Sequence, residues 1–247
     1  MLVNYVPFLT VLVLFHYLVY KLASLMFDEF NSESVLYVSK LYQEHVREKI
    51  VVSRYKKLYI TKNLWKSAML AFIMAGTTIP ILEGFFLDEW KNTPFLFWGT
   101  LYVALDLSGL IYVRGLPRAT VIHHVVVCIL GTLNAMADYT IRGYYRSILI
   151  YTYFSIVPFL VNFYLGARYL IIDDRSRTYL AKASAWIYTL SLGANIVSQV
   201  AFFATEPFSW TILFYVSMYS LIMNDDVKLI RFLWAEASSS HEKHKKT

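Results

Sequence analysis

Two adjacent histidines, His123 and His124, sit inside an apolar segment, residues 120–135. Imidazoles at such depth are costly unless they are paired or at work, so they are the first candidates for chemistry. A neutral imidazole takes protons near neutral pH and accepts acyl groups, and a nearby carboxylate offsets its desolvation and fixes its tautomer. Asp106 is the acid in reach. It lies ~9 Å before the end of its own apolar run, and the histidines lie ~8 to 9 Å beyond Arg118 at the start of the next. The short turn from Arg114 to Arg118 makes the two runs neighbours, so the acid and the imidazoles share a level. Adjacent residues on a helix diverge by about 100°, so both rings are not expected to point at one target. His123 is expected to be the inward, working ring, with His124 turned toward Asp106 or a backbone acceptor. Asn134 falls on nearly the same face as His123 and joins the candidate substrate contacts.

A zinc site is not expected. The adjacent rings do not converge from a straight helix, and neither an H-E-x-x-H spacing nor a thiolate set accompanies them. Cys128 is the single cysteine, which excludes an intrachain disulfide. Gly-rich phosphate loops, the G-x-S-x-G elbow and nucleic-acid motifs are absent from the sequence.

The elements that must hold these residues are set by hydrophobicity. The chain has 247 residues, 57% hydrophobic and only 16% charged, with a mean hydropathy of +0.48. Soluble domains carry roughly 25% charged residues, so the expectation is an all-α integral membrane protein. Seven apolar stretches approach the length needed to cross ~30 Å: residues 2–20, 64–82, 95–112, 119–137, 145–171, 180–204 and 208–232. Pro158 in the fifth reads as a kink rather than a break. The first lacks a basic leading region and is expected to be a retained anchor rather than a cleaved signal.

A net charge of +6 does not mark nucleic acid here, because the basic residues lie between apolar runs. They gather in residues 21–66, the turn 114–118, the loop 173–182 and the tail, and they are sparse in 83–94 and 205–207. This alternation places the N-terminus outside and the C-terminus in the cytosol, with Arg142 and Arg146 the exceptions. Within residues 31–62, Val35, Val38, Tyr42 and Val46 recur at helical spacing; an interfacial helix on anionic lipid and a solvated linker helix both fit. Polar stripes on the later spans, namely Tyr151, Ser155, Pro158 and Asn162, then Ser191, Asn195 and Ser198, then Ser217, Ser220, Asn224 and Lys228, are expected to face the bundle interior. Asp225 is expected to pair with Lys228 at i, i+3. His16 in the first span reads as a packing histidine. Three regions follow: an anchor and cytosolic segment at 1–61, a membrane domain at 62–234, and a basic tail at 235–247.

The ordered features of residues 62–234 resemble the TLC domain family, which includes ceramide synthases. They are Asp106-Leu107-Ser108, a short basic turn, His123-His124, the segment Ser155-Ile156-Val157-Pro158-Phe159 with Asn162, and Met223-Asn224 in the last helix. The resemblance implies six helices in a barrel around a lipid cavity, here preceded by one anchor. It also implies binding of a long-chain acyl lipid, a part in ceramide or phospholipid homeostasis, and substrate contacts at Asn134, Ser155, Asn162 and Asn224. In ceramide synthases paired histidines serve acyl transfer from acyl-coenzyme A to a sphingoid base. That role would fall on His123 and His124 with Asp106, with acyl-coenzyme A as co-substrate and no bound cofactor. Where other TLC proteins carry a Glu before the Ser and Pro-Phe segment, this chain has Phe154. A non-enzymatic cargo receptor is the alternative, and self-association into a homo-oligomer stays open. Lys243 and Lys245, fifth and third from the end, resemble a dilysine retrieval signal and imply the endoplasmic reticulum membrane.

Overall fold

The computed structural model describes residues 5–22, 54–113, 115–171 and 173–244. Most of the proposed interfacial segment and the end of the basic tail lie outside these residues. Every regular element among the described residues is an α-helix: α1 (Tyr5–Leu22), α2 (Arg54–Leu87), α3 (Asn92–Tyr112), α4 (Arg118–Asn134), α5 (Tyr144–Ile156), α6 (Phe159–Ala167), α7 (Asp174–Thr205) and α8 (Trp210–His244). Five are long and apolar enough to cross a bilayer: α1, α2, α3, the α5–α6 pair taken together, and α7. With 17 residues, α4 is shorter. The lower half of α8 carries Asp225, Asp226, Lys228 and Arg231, and the helix runs on through residues read from sequence as a tail. Outward-facing residues such as Phe72, Ile79, Val197 and Val200 are exposed, which suits a hydrocarbon solvent.

Neighbour relations close on themselves. Going round, α2 packs on α3, α3 on α4, α4 on α8, α8 on α7, and α7 on α5 and α6, which return to α2. Tight contacts set this arrangement. A Cβ on Gly131 of α4 would stand 2.1 Å from Val103 Cγ2 of α3, so the two backbones approach where a side chain is missing. The turn between them needs glycine for another reason: Gly115 has φ +75°, a left-handed conformation costly for other residues. Helix α1 lies against α2 and α3, with Tyr17 stacked on Tyr112 and the Trp65 indole donating to His16 Nδ1 at 3.0 Å. His16 is fully buried there, a packing residue.

Pro158 breaks the fifth span rather than kinking it, since α5 ends at Ile156 and α6 begins at Phe159. A proline has no N–H for the carbonyl four residues earlier, here that of Phe154. The Ser191 hydroxyl of α7 donates to that carbonyl at 2.5 Å and takes the place of the missing donor.

At the bundle end that carries residues 88–91, 135–143 and 206–209, the loops are tied to one another. The Arg146 guanidinium, 8% exposed, donates to Asp88 at 2.9 Å and to the carbonyls of Tyr139 and Thr140, and it lies over the Trp90 ring. Arg142 pairs with Glu206 at 2.7 Å. Both exceptional arginines are thus neutralised by local partners. The Asp138 carboxylate accepts from Thr140 and Asn92, and these bonds hold it below the usual carboxylate range.

Candidate functional site

Lys66, Asp106, His123 and His124 meet at the other end of the bundle, where Lys66 and both histidines line a chamber of about 400 Å³ and Asp106 lies behind them. Every helix but α1 contributes to its wall. Leu70, Tyr102, Val161, Leu165 and Leu229 line its apolar part, while Leu116 and Pro117 of the α3–α4 turn border it. The volume falls in the range of small-molecule sites.

Asp106 is fully buried, and its Oδ1 is shared. The Lys66 ammonium of α2 donates to it in a close ion pair, and His124 Nδ1 lies 3.2 Å away. Asp106 Oδ2 has no hydrogen-bond partner among the described residues. His123 turns instead toward α8, its Nδ1 3.5 Å from Asp225 Oδ2 and 3.7 Å from Asp226 Oδ1. The two carboxylates are held from elsewhere: Tyr188 donates to Asp226 at 2.6 Å, and Thr120 donates to Asp225 at 3.4 Å. Each ring therefore has a carboxylate near Nδ1, and among the described residues neither Nε2 has a protein partner. These contacts lack hydrogen-bond geometry at Nδ1 among the described residues, so the carboxylates act on the rings by charge rather than by a directed bond.

Several sequence expectations need correction. Both rings line the one chamber despite their 100° divergence along α4, because the imidazoles swing edge to face with centroids 5.5 Å apart. Asp225 faces His123 rather than Lys228, since the nearest partner comes across the α4–α8 contact and not along the helix. Asn134 shares the face of His123 but stands eleven residues along α4, ~16 Å away. It borders a separate, water-sized void of about 30 Å³, where the Tyr139 hydroxyl donates to its carbonyl. Asn224 is exposed on the outside of α8, as are Ser217 and Ser220, whose hydroxyls donate to the carbonyls of Leu213 and Val216. A serine satisfied on its own helix has no need of the interior. Ser155 and Asn162 do line the chamber, and Ser191 and Asn195 are buried.

Asp106, His123 and His124 also bring one donor atom each within 4.8 Å of one another, a spacing that three metal ligands could adopt after small adjustments. The Lys66 ammonium already occupies the position of a cation beside Asp106. Lys66, Asp225 and Asp226 are the site residues that sequence reasoning missed. No family model matches the chain, and no curated protein or solved structure is found similar to it.

Proposed function

We propose that this chain is a multi-pass membrane protein of the TLC type that takes a long-chain acyl lipid into its chamber and serves lipid homeostasis in the endoplasmic reticulum. In this reading α4 and α8 join the five apolar spans to make seven crossings, and the ring from α2 to α8 is the barrel, with α1 as the added anchor. The observation that carries it is the chamber itself, its wall largely apolar and carrying Lys66, His123 and His124, with the buried Asp106 held against Lys66 and His124 behind them. Such a cavity suits a ligand with a long hydrocarbon chain and a polar reacting end.

The paired imidazoles favour a second reading, acyl transfer from acyl-coenzyme A to an amine such as a sphingoid base. An imidazole nitrogen attacks the thioester carbonyl and the carbon–sulfur bond breaks to release the coenzyme thiolate; the amine then takes the acyl group from the imidazole while the other ring receives its proton and passes it to the thiolate. Asp106 and Asp225 hold the rings and stabilise the imidazolium that forms. The test incubates purified protein with labelled acyl-coenzyme A and sphingoid bases, wild type beside His123→Ala and His124→Ala, while bound lipid is measured by mass spectrometry. Product that falls by about 10²-fold or more in the variants supports transfer. Background signal in all three proteins overturns transfer, and bound acyl lipid in those samples still supports the chamber.

A further inference from the structure

One charge in the chamber has no direct ion-pair partner among the described residues. Lys62 lies one turn before Lys66 on the same face of α2, is 5% exposed and lines the chamber. Lys66 has Asp106, whereas Lys62 has neither an ion-pair nor a hydrogen-bond partner among the described residues. Its head rests against α3 where glycine leaves room: a Cβ on Gly109 would stand 3.0 Å from both Cε and Nζ. A buried ammonium is unfavourable without an anion in contact, and the nearby carboxylates make their direct contacts with other groups. Asp106 holds Lys66, Asp225 faces His123, and Asp226 accepts from Tyr188. The half-buried Arg168 borders the same chamber and lies over the Phe232 ring; one terminal nitrogen donates to the Tyr169 hydroxyl at 2.9 Å, while its Nε has no acceptor among the described residues.

Resting on the lipid-chamber reading above, we infer that Lys62, with Arg168, forms a subsite for a phosphate group on the bound ligand. The buried Lys62 ammonium and the half-buried Arg168 guanidinium on the chamber wall offer the charge-assisted hydrogen bonds that phosphate oxygens accept. Gly109 follows Asp106 by three residues, so the Lys62 ammonium lies ~4.5 Å nearer the α3–α4 turn than the acid does. A phosphate held there sets the hydroxyl or amine a few bonds from phosphorus beside the imidazoles. Its hydrocarbon chain then lies against the apolar part of the wall, Leu70 and Tyr102 among it.

The test is native mass spectrometry of the full chain in detergent, with lysophosphatidate and monoacylglycerol of one chain length, and with inorganic phosphate as a third probe. The expected result is lysophosphatidate binding at least ten-fold tighter than monoacylglycerol. That preference is lost in Lys62→Met, kept in Lys62→Arg, and unchanged in Arg175→Gln on the exposed start of α7. Displacement of lysophosphatidate by millimolar inorganic phosphate supports the subsite and assigns it to the free anion; no displacement assigns it to a lipid-borne phosphate. Equal binding of the two lipids by the wild type overturns the subsite and leaves the lipid chamber standing. Binding of neither lipid overturns both.

Discussion

Asp106 depends on Lys66 for its place in the bundle. Both are buried, and removing one partner of such a pair leaves the other charge uncompensated, at a cost of about 3–5 kcal/mol. Lys66→Met and Asp106→Asn are each expected to lower the thermal midpoint strongly, and Lys66→Met combined with Asp106→Leu to recover most of it. Singles as stable as wild type in a detergent melt would mean that the pair is not buried. Asp106 and the histidines were legible in the sequence because depth along two helices joined by a tight turn reduces to counting residues. Lys66 was not, because a lysine near the end of an apolar span looks like a topology charge. The contact between His123 and Asp225 was hidden for a related reason. Spacing along α8 suggests Lys228 as the partner, whereas the contact across to α4 depends on how the helices pack. Asn224 fails by one residue: its neighbour Asp225 points inward, and a 100° turn sends Asn224 out.

Two helix contacts carry predictions at the next scale. Ser191→Ala removes the donor that replaces the missing Pro158 N–H and leaves the Phe154 carbonyl unsatisfied, a loss of about 1–3 kcal/mol. Thermal denaturation of Ser191→Ala and of Ser191→Thr, which keeps the hydroxyl, checks this; equal losses would point to packing instead. At the α3–α4 contact, Gly131→Leu collides with Val103, and Val103→Ala in the same chain restores part of the stability. Failure of that rescue, in the same melt, would mean the two helices are not held by this approach. The existence of the elements could be read from apolar length, and the break at Pro158 could be read only as a disturbance. Whether a proline kinks a helix or interrupts it depends on donors that neighbouring helices supply, and those donors belong to the packing.

At the scale of the molecule, the two ends of the bundle differ in chemistry. One end ties its loops together through Arg146, Asp88, Arg142 and Glu206, and the other opens a chamber bordered by lysines, histidines and acids. In the proposed topology, which follows the distribution of basic residues, the chamber end faces the cytosol. A glycosylation acceptor inserted at residues 206–209 is expected to be modified in cells and one inserted at 115–117 is not; the reverse pattern would invert the topology. The closed circuit of helices could not be read from apolar runs, which fix the number of candidate spans but leave their neighbours free. The claim on which the account rests is that an acyl chain occupies the chamber. A long-chain lipid with a diazirine near the end of its chain, activated by light in the full protein and mapped by peptide sequencing, tests it most directly. The account predicts labels on Leu70, Tyr102 or Leu229 that unlabelled lipid suppresses. Labels confined to outward residues such as Phe72 and Val197, unaffected by competitor, would contradict it.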